Sequence, residues 1–171
     1  STLLASSAAS DVYKRQNHPR YPYHLLREEM QEFILDKLQL LIERKLIKGI
    51  GENGTEYTVI AQILDLPKEI LRLIQKFDFT KKNPKLIYIN TGETMISLQD
   101  SILVTFLNLA GFDILFFVPT GYQSVENYFA EKLMEEHQIG EYKYDMQVPD
   151  LNNISTNSTR PSWRRKLFRR G

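Results

Sequence analysis

Between Leu25 and Leu46 apolar residues recur at positions 26, 30, 33, 34, 38 and 41, spacings of three and four that put them on one face of a helix. Glu28, Glu29 and Glu32 stand near the start of this segment and Arg44, Lys45 and Lys48 near its end, so each sign of charge complements the helix dipole. The pattern predicts one long helix whose stripe serves packing. Two shorter helices are expected after it, Thr55 to Leu64 and Leu66 to Phe77, with Pro67 suited to the first turn of the second.

The period changes at Pro84. The run PKLIYIN is apolar, rich in β-formers and bounded by Pro and Gly, and predicts a buried strand over Leu86 to Asn90. Ser97 with Asp100 three residues on begins a helix in the manner of a capping box, apolar residues continue through Leu109, and Gly111 stops it. DILFFVP is the next strand. PTGYQSVENYFAEKLMEEH repeats the plan, with Thr120 or Ser124 as cap and a helix to about His137, and EYKYDMQVP reads as a third strand. Strands that are apolar throughout, alternating with helices, indicate parallel βαβ units whose crossovers cover both sheet faces. The fold class is therefore α/β: N-terminal helices over 17–80, then a small Rossmann-like parallel βαβ(αβ) unit over 81–150, then a basic tail over 151–171.

This topology sends two loops, TGET and PTGYQS, from the carboxyl ends of adjacent strands, where open α/β sheets bind ligands. Gly92 and Gly121 permit close backbone approach, Thr91, Thr94, Thr120, Tyr122 and Ser124 supply hydroxyls, and the helix N-terminus beyond offers free N–H donors. That chemistry suits an anion, in particular a phosphate-containing small molecule. Glu93 is a candidate for a sugar hydroxyl or for acid–base work if burial raises its pKa. Each feature also has a plain structural use, as turn glycine, cap or solvated charge. His137 and Glu141, with Tyr142 and Tyr144 nearby, form a second candidate acid–base set, although a His near a helix C-terminus commonly just complements the dipole. Three scattered histidines make no metal set. GIGENG, residues 49–54, formally matches G-x-G-x-x-G, but a helix precedes it instead of the strand that the dinucleotide fingerprint requires.

Composition narrows the classes. With 42% hydrophobic and 25% charged residues the 171-residue chain is globular, and no run approaches the roughly 18 apolar residues of a membrane helix. Zero cysteines exclude disulfides and thiolate zinc sites and agree with a cytoplasmic location, in which the triplets at Asn53, Asn153 and Asn157 are chance glycosylation motifs. The net charge of +1 hides an asymmetry: Arg160 to Gly171 carries six basic residues and no acidic one, while Asn17 to Thr159 carries 14 basic and 20 acidic. Trp163, Leu167 and Phe168 interleave with the tail cations, a composition suited to an anionic surface or to simple solvation. Residues 1–16 fit neither neighbour. One codon choice for Asp11 to Gln16 reproduces a transposon end used in sequencing-library preparation, so this segment is expected to be a non-native scar, with Asn17 the first native residue and an N-terminal portion missing.

The stretch from Gln75 to Phe129, QKFDFTKKNPKLIYINTGETMISLQDSILVTFLNLAGFDILFFVPTGYQSVENYF, with HQIGEYKYDMQVP after it, resembles the C-terminal region of the bacterial YceG-like family. The likeness extends over roughly Tyr21 to Leu151 and into the basic ending. It implies a component of the biosynthetic module of tellurium-resistance and stress gene clusters, unrelated to the lytic transglycosylase of the same name, and a longer native protein of which this is the last third. It carries no catalytic residue and no cofactor onto this chain. Two functions stay open: part of an enzyme binding a nucleotide or sugar-phosphate at the sheet edge, or a non-catalytic module docking a resistance-system protein, with the tail as anchor.

Overall fold

The computed structural model describes residues 21–76, 82–122 and 125–148. Segments 1–16 and 149–171, including the expected scar and the basic tail, lie outside the described residues, as does Ser124.

Helix α1 spans Glu28–Glu43 and buries Met30, Ile34, Leu35, Leu38, Leu41 and Ile42, the face that the spacing predicts and its two neighbours. It ends three residues before Leu46. Lys45 takes a left-handed φ of 50°, its N–H donates to Ile42 O at 3.1 Å, and Leu46 N–H donates to Leu41 O at 3.3 Å. This is a Schellman closure with lysine where glycine is usual, and it places Arg44, Lys45 and Lys48 just beyond the last turn. α2 (Thr55–Ile63) and α3 (Lys68–Lys76) follow, each slightly shorter than its pattern suggests. Tyr23 ties the start of the fold to the α2–α3 junction: its buried hydroxyl donates to Ile63 O at 2.6 Å and accepts from Leu66 N at 2.9 Å.

Strand β1 (Lys85–Ile89), helix α4 (Leu98–Leu109) and strand β2 (Asp113–Phe117) form one parallel βαβ unit. The capping box is real: Ser97 Oγ accepts from Asp100 N at 3.0 Å and donates to the Asp100 carboxylate at 2.7 Å. Gly111, at φ 99°, closes the other end, with Phe112 N–H reaching back to Leu107 O at 3.0 Å. Ile102, Phe106 and Leu107 are fully buried against α1 and α2, and each such side chain contributes about 1.5–3 kcal/mol by leaving water. Leu86, Tyr88, Ile114 and Phe116 turn toward this core from one face of the sheet.

The second half of the expected unit does not form. Residues 125–148 contain no helix and no strand, so among the described residues neither the helix to His137 nor the strand over EYKYDMQVP is present, and the sheet they form has two strands. Val125 and Phe129 are buried, but by a segment of bends and a turn: Ile47 bridges Phe129, Lys48 N–H donates to Tyr128 O at 2.9 Å and Ala130 N–H donates to Leu46 O at 2.9 Å. These long-range bonds take the backbone groups that a helix would use. Glu131 and Glu135, four apart, would also repel along a helix. Lys143 N–H donates to Pro119 O at 2.8 Å, which holds the EYKYD stretch on the loop after β2 instead of along a strand edge. Among the described residues, helix covers one sheet face only.

Candidate functional site

The parallel register brings the two expected loops side by side. Ile89 pairs with Phe117 at the carboxyl ends of the strands, and Asn90 N–H extends the ladder to Phe117 O at 3.0 Å. Thr91, Gly92, Glu93 and Thr94 therefore leave the sheet beside Thr120, Gly121 and Tyr122.

Both loops are closed by their own side chains. Gly92 N–H donates to Asn90 Oδ1 at 3.2 Å, and the Asn90 amide donates to Thr94 O at 2.9 Å. Tyr122 N–H donates to the buried Thr120 hydroxyl oxygen at 3.3 Å. The N-terminus of α4 is engaged as well, since Ser97 caps it and Asp100 sets a carboxylate in its first turn, where the helix dipole favours negative charge. Asp100 also faces the Tyr88 hydroxyl. Burial, and then the charge and hydrogen bonding of that carboxylate, push the Tyr88 pKa upward. The second loop opens no helix. An anion here would rely on exposed hydroxyls and the remaining loop amides.

Gly121 has a structural use that the sequence did not reveal. Its φ is 68°, and a Cβ there would fall within contact distance of three carbons of the Tyr142 ring. Tyr142 thus packs against Gly121 and joins the loop to the segment held by Lys143.

Glu93 is exposed, so the burial invoked for acid–base work is absent. His137 and Glu141 are exposed too, and His137 Nε2 lies 3.6 Å from Glu135 Oε2 on an open surface. The GIGENG turn follows α1, as the sequence indicates, and Gly51 N–H is taken by the Glu56 carboxylate at 3.1 Å, which fills the turn with negative charge. No group of three potential metal-ligating carboxylates or histidines occurs among the described residues, and no helix among them is long and apolar enough to cross a membrane. A shallow groove of about 290 Å³ lies between α1 and α3, lined by Arg27, Met30, Phe33 and Ile74 among others, and none of the expected site residues reaches it.

The feature that the sequence reading overlooked is the outer face of the sheet. Lys85, Ile87 and Ile89 on β1 stand opposite Asp113, Leu115 and Phe117 on β2. The first pair is an ion pair, Lys85 Nζ to Asp113 Oδ2 at 2.6 Å; the other two pairs are large, apolar and exposed. The signal was the continuous apolar character of KLIYI and DILFF, which belongs to strands covered on both sides.

A helical scaffold carrying a βαβ unit, with a closed loop pair at one end of the sheet and a bare apolar face, defines an α/β module. The match of the YceG domain over residues 8–159 shows which: the chain belongs to the YceG family. The match begins inside the segment expected to be a scar and lends that expectation no support. The "Uncharacterized protein YceG" of Bacillus subtilis (strain 168) is 31% identical over 93 residues, which is 53% of this chain and 17% of that protein. The chain thus matches about a sixth of the length of this curated relative. No solved structure matches.

Proposed function

We propose that this chain serves a YceG protein of the tellurium-resistance and stress setting as a docking module, with the outer sheet face as its contact surface. The observation that carries the reading is the exposed apolar ladder of Ile87, Ile89, Leu115 and Phe117 on a parallel sheet. Parallel sheets keep both faces covered, and contiguous exposed apolar patches mark interaction sites. In this reading the Rossmann-like character expected from the sequence is completed by whatever seats on that face. The test is complementation of tellurite tolerance by a YceG protein carrying this segment. Leu115→Lys abolishes tolerance while the circular dichroism of the 171-residue chain is unchanged; full tolerance with Leu115→Lys refutes the reading.

A second reading rests on a different observation, the adjacency of the Thr91–Thr94 and Thr120–Tyr122 loops at the carboxyl edge. There the chain holds a phosphate-containing metabolite, a nucleotide or sugar-phosphate, through hydroxyls and loop amides. Gly121 cannot serve as the probe, because any side chain there disturbs Tyr142. Thr94→Ala, at an exposed position, is the suitable variant. Nucleotides or sugar nucleotides raise the melting temperature of the wild-type chain and not of Thr94→Ala; no shift with any of them ends this reading. The basic residues from Arg160 onward join either reading as a contact to an anionic surface, tested by deleting them.

A further inference from the structure

Resting on the docking reading, we infer that the outer sheet face seats an amphipathic helix supplied by the part of a YceG polypeptide outside the segment matched here. Both strands are apolar on both sides: Leu86, Tyr88, Ile114 and Phe116 face α4 and the core, and Ile87, Ile89, Leu115 and Phe117 face outward. In parallel sheets such strands are sandwiched between helices. The segment expected to form the second covering helix is committed elsewhere, bonded through Tyr128 and Ala130 to residues 46 and 48.

The size of the face selects the kind of occupant. The face consists of four large apolar side chains on two five-residue strands. A stable association of separate chains needs about 800 Å² of accessible surface per partner, more than these four half-exposed side chains supply. A second copy or a free protein gains too little here. A tethered segment is not bound by that requirement, because covalent linkage raises its effective concentration to the millimolar range. The Bacillus subtilis relative has the chain to supply it, since only 17% of that protein falls within the match. The chemistry of the face describes the helix. It lays an apolar stripe over Ile87, Leu115, Ile89 and Phe117 and turns a polar group toward the Lys85–Asp113 end.

The chain has no cysteine, so Leu115→Cys adds a single reporter. Its maleimide labelling, read peptide by peptide by mass spectrometry, is compared in the 171-residue chain and in the full-length Bacillus subtilis protein carrying this segment in place of its own. Labelling is fast in the short chain and slower by about tenfold or more in the full-length protein, as burial protects a site. Ser101→Cys, nearly isosteric and fully buried in α4, stays protected in both and reports that the fold is intact. If the exchange exposes that site, the same two substitutions go into the unaltered relative at the aligned positions. Equally fast labelling at Leu115→Cys in both proteins overturns the docking reading and the inference together. Protection in the short chain that rises with its concentration identifies a second copy, and protection that needs an added separate protein identifies a partner in trans. Either result overturns the inference while leaving docking standing.

Discussion

Ile87 and Leu115 face each other across the parallel ladder with 59% and 57% of their surfaces exposed. Side chains of this kind in a sheet centre are ordinarily buried, so their exposure separates what they do for this chain alone from what they do in a larger assembly. In the 171-residue chain, Leu115→Lys shifts unfolding free energy by no more than about 0.5 kcal/mol, as surface substitutions do. It also lowers the fluorescence of a bound apolar dye. Urea denaturation and dye titration on the same samples check both statements, and a loss of several kcal/mol would mean that the face is already covered.

Tyr23 and Tyr21 meet edge to face at 5.9 Å, yet among the described residues only the Tyr23 hydroxyl has a partner. Tyr23→Phe leaves Ile63 O and Leu66 N without their buried partner and costs about 1–3 kcal/mol. Tyr21→Phe removes a buried hydroxyl that has no partner among the described residues, and is neutral or stabilising. Denaturant midpoints of the two variants, measured in parallel, test the contrast. Burial raises the pKa of Tyr23 far above the ordinary phenolic value of 10. Its neutral form therefore favours the fold fully below pH 10, and that contribution falls away as pH rises above 10. Alkaline melting of the wild type is correspondingly steeper than that of Tyr23→Phe.

Ser97 and Asp100 close the N-terminus of α4, which forms the centre of the core. Ser97→Ala costs about 0.5–2 kcal/mol, and Ser97→Gly, which also caps, a few tenths. Thermal melts of the pair give the order directly.

Gly121→Ala introduces a side chain at φ 68° and against the Tyr142 ring, and destabilises the loop by about 1–2 kcal/mol. The effect is local. Hydrogen exchange at the Lys143 amide, which donates to Pro119 O, accelerates in Gly121→Ala, while exchange in α4 stays at wild-type rates.

Hydrogen bonds from Lys85 first, and then Asn83, hold the Asp113 carboxyl below its ordinary value of 3.8. The ion pair therefore contributes in full above pH 3.8 and loses its effect as pH falls through the lower folded value. Both groups lie on the surface, so the contribution is small and screened by salt. Lys85→Met raises the Asp113 pKa toward 3.8, which carboxyl chemical shifts followed by NMR between pH 2 and 5 will report.

Where the information was local, the sequence was sufficient. The spacing at 30, 34, 38 and 41 locates the buried face of α1, Ser97 and Asp100 mark the start of α4, Gly111 marks its end, and the runs KLIYI and DILFF are the two strands. The adjacency of the two loops followed from topology. The closing of those loops by Asn90 and Thr120 was not legible, because the same residues suit a turn and a ligand equally well. Nor was the role of Gly121, which depends on a tyrosine 21 positions away.

By itself, then, the sequence determined an α/β chain with amphipathic helices, one capped crossover helix and two strands apolar on both sides. Caps, turns and periodicity act within a few residues, and these elements obey them. Only the tertiary structure decided the path of residues 125–148 and the bareness of one sheet face. A short helix draws most of its stability from a surface to pack on. Here Phe129 found its surface beside residues 46–48, more than eighty positions earlier, through backbone bonds that leave no helix behind. The face left uncovered by that choice is the surface on which the proposed function rests.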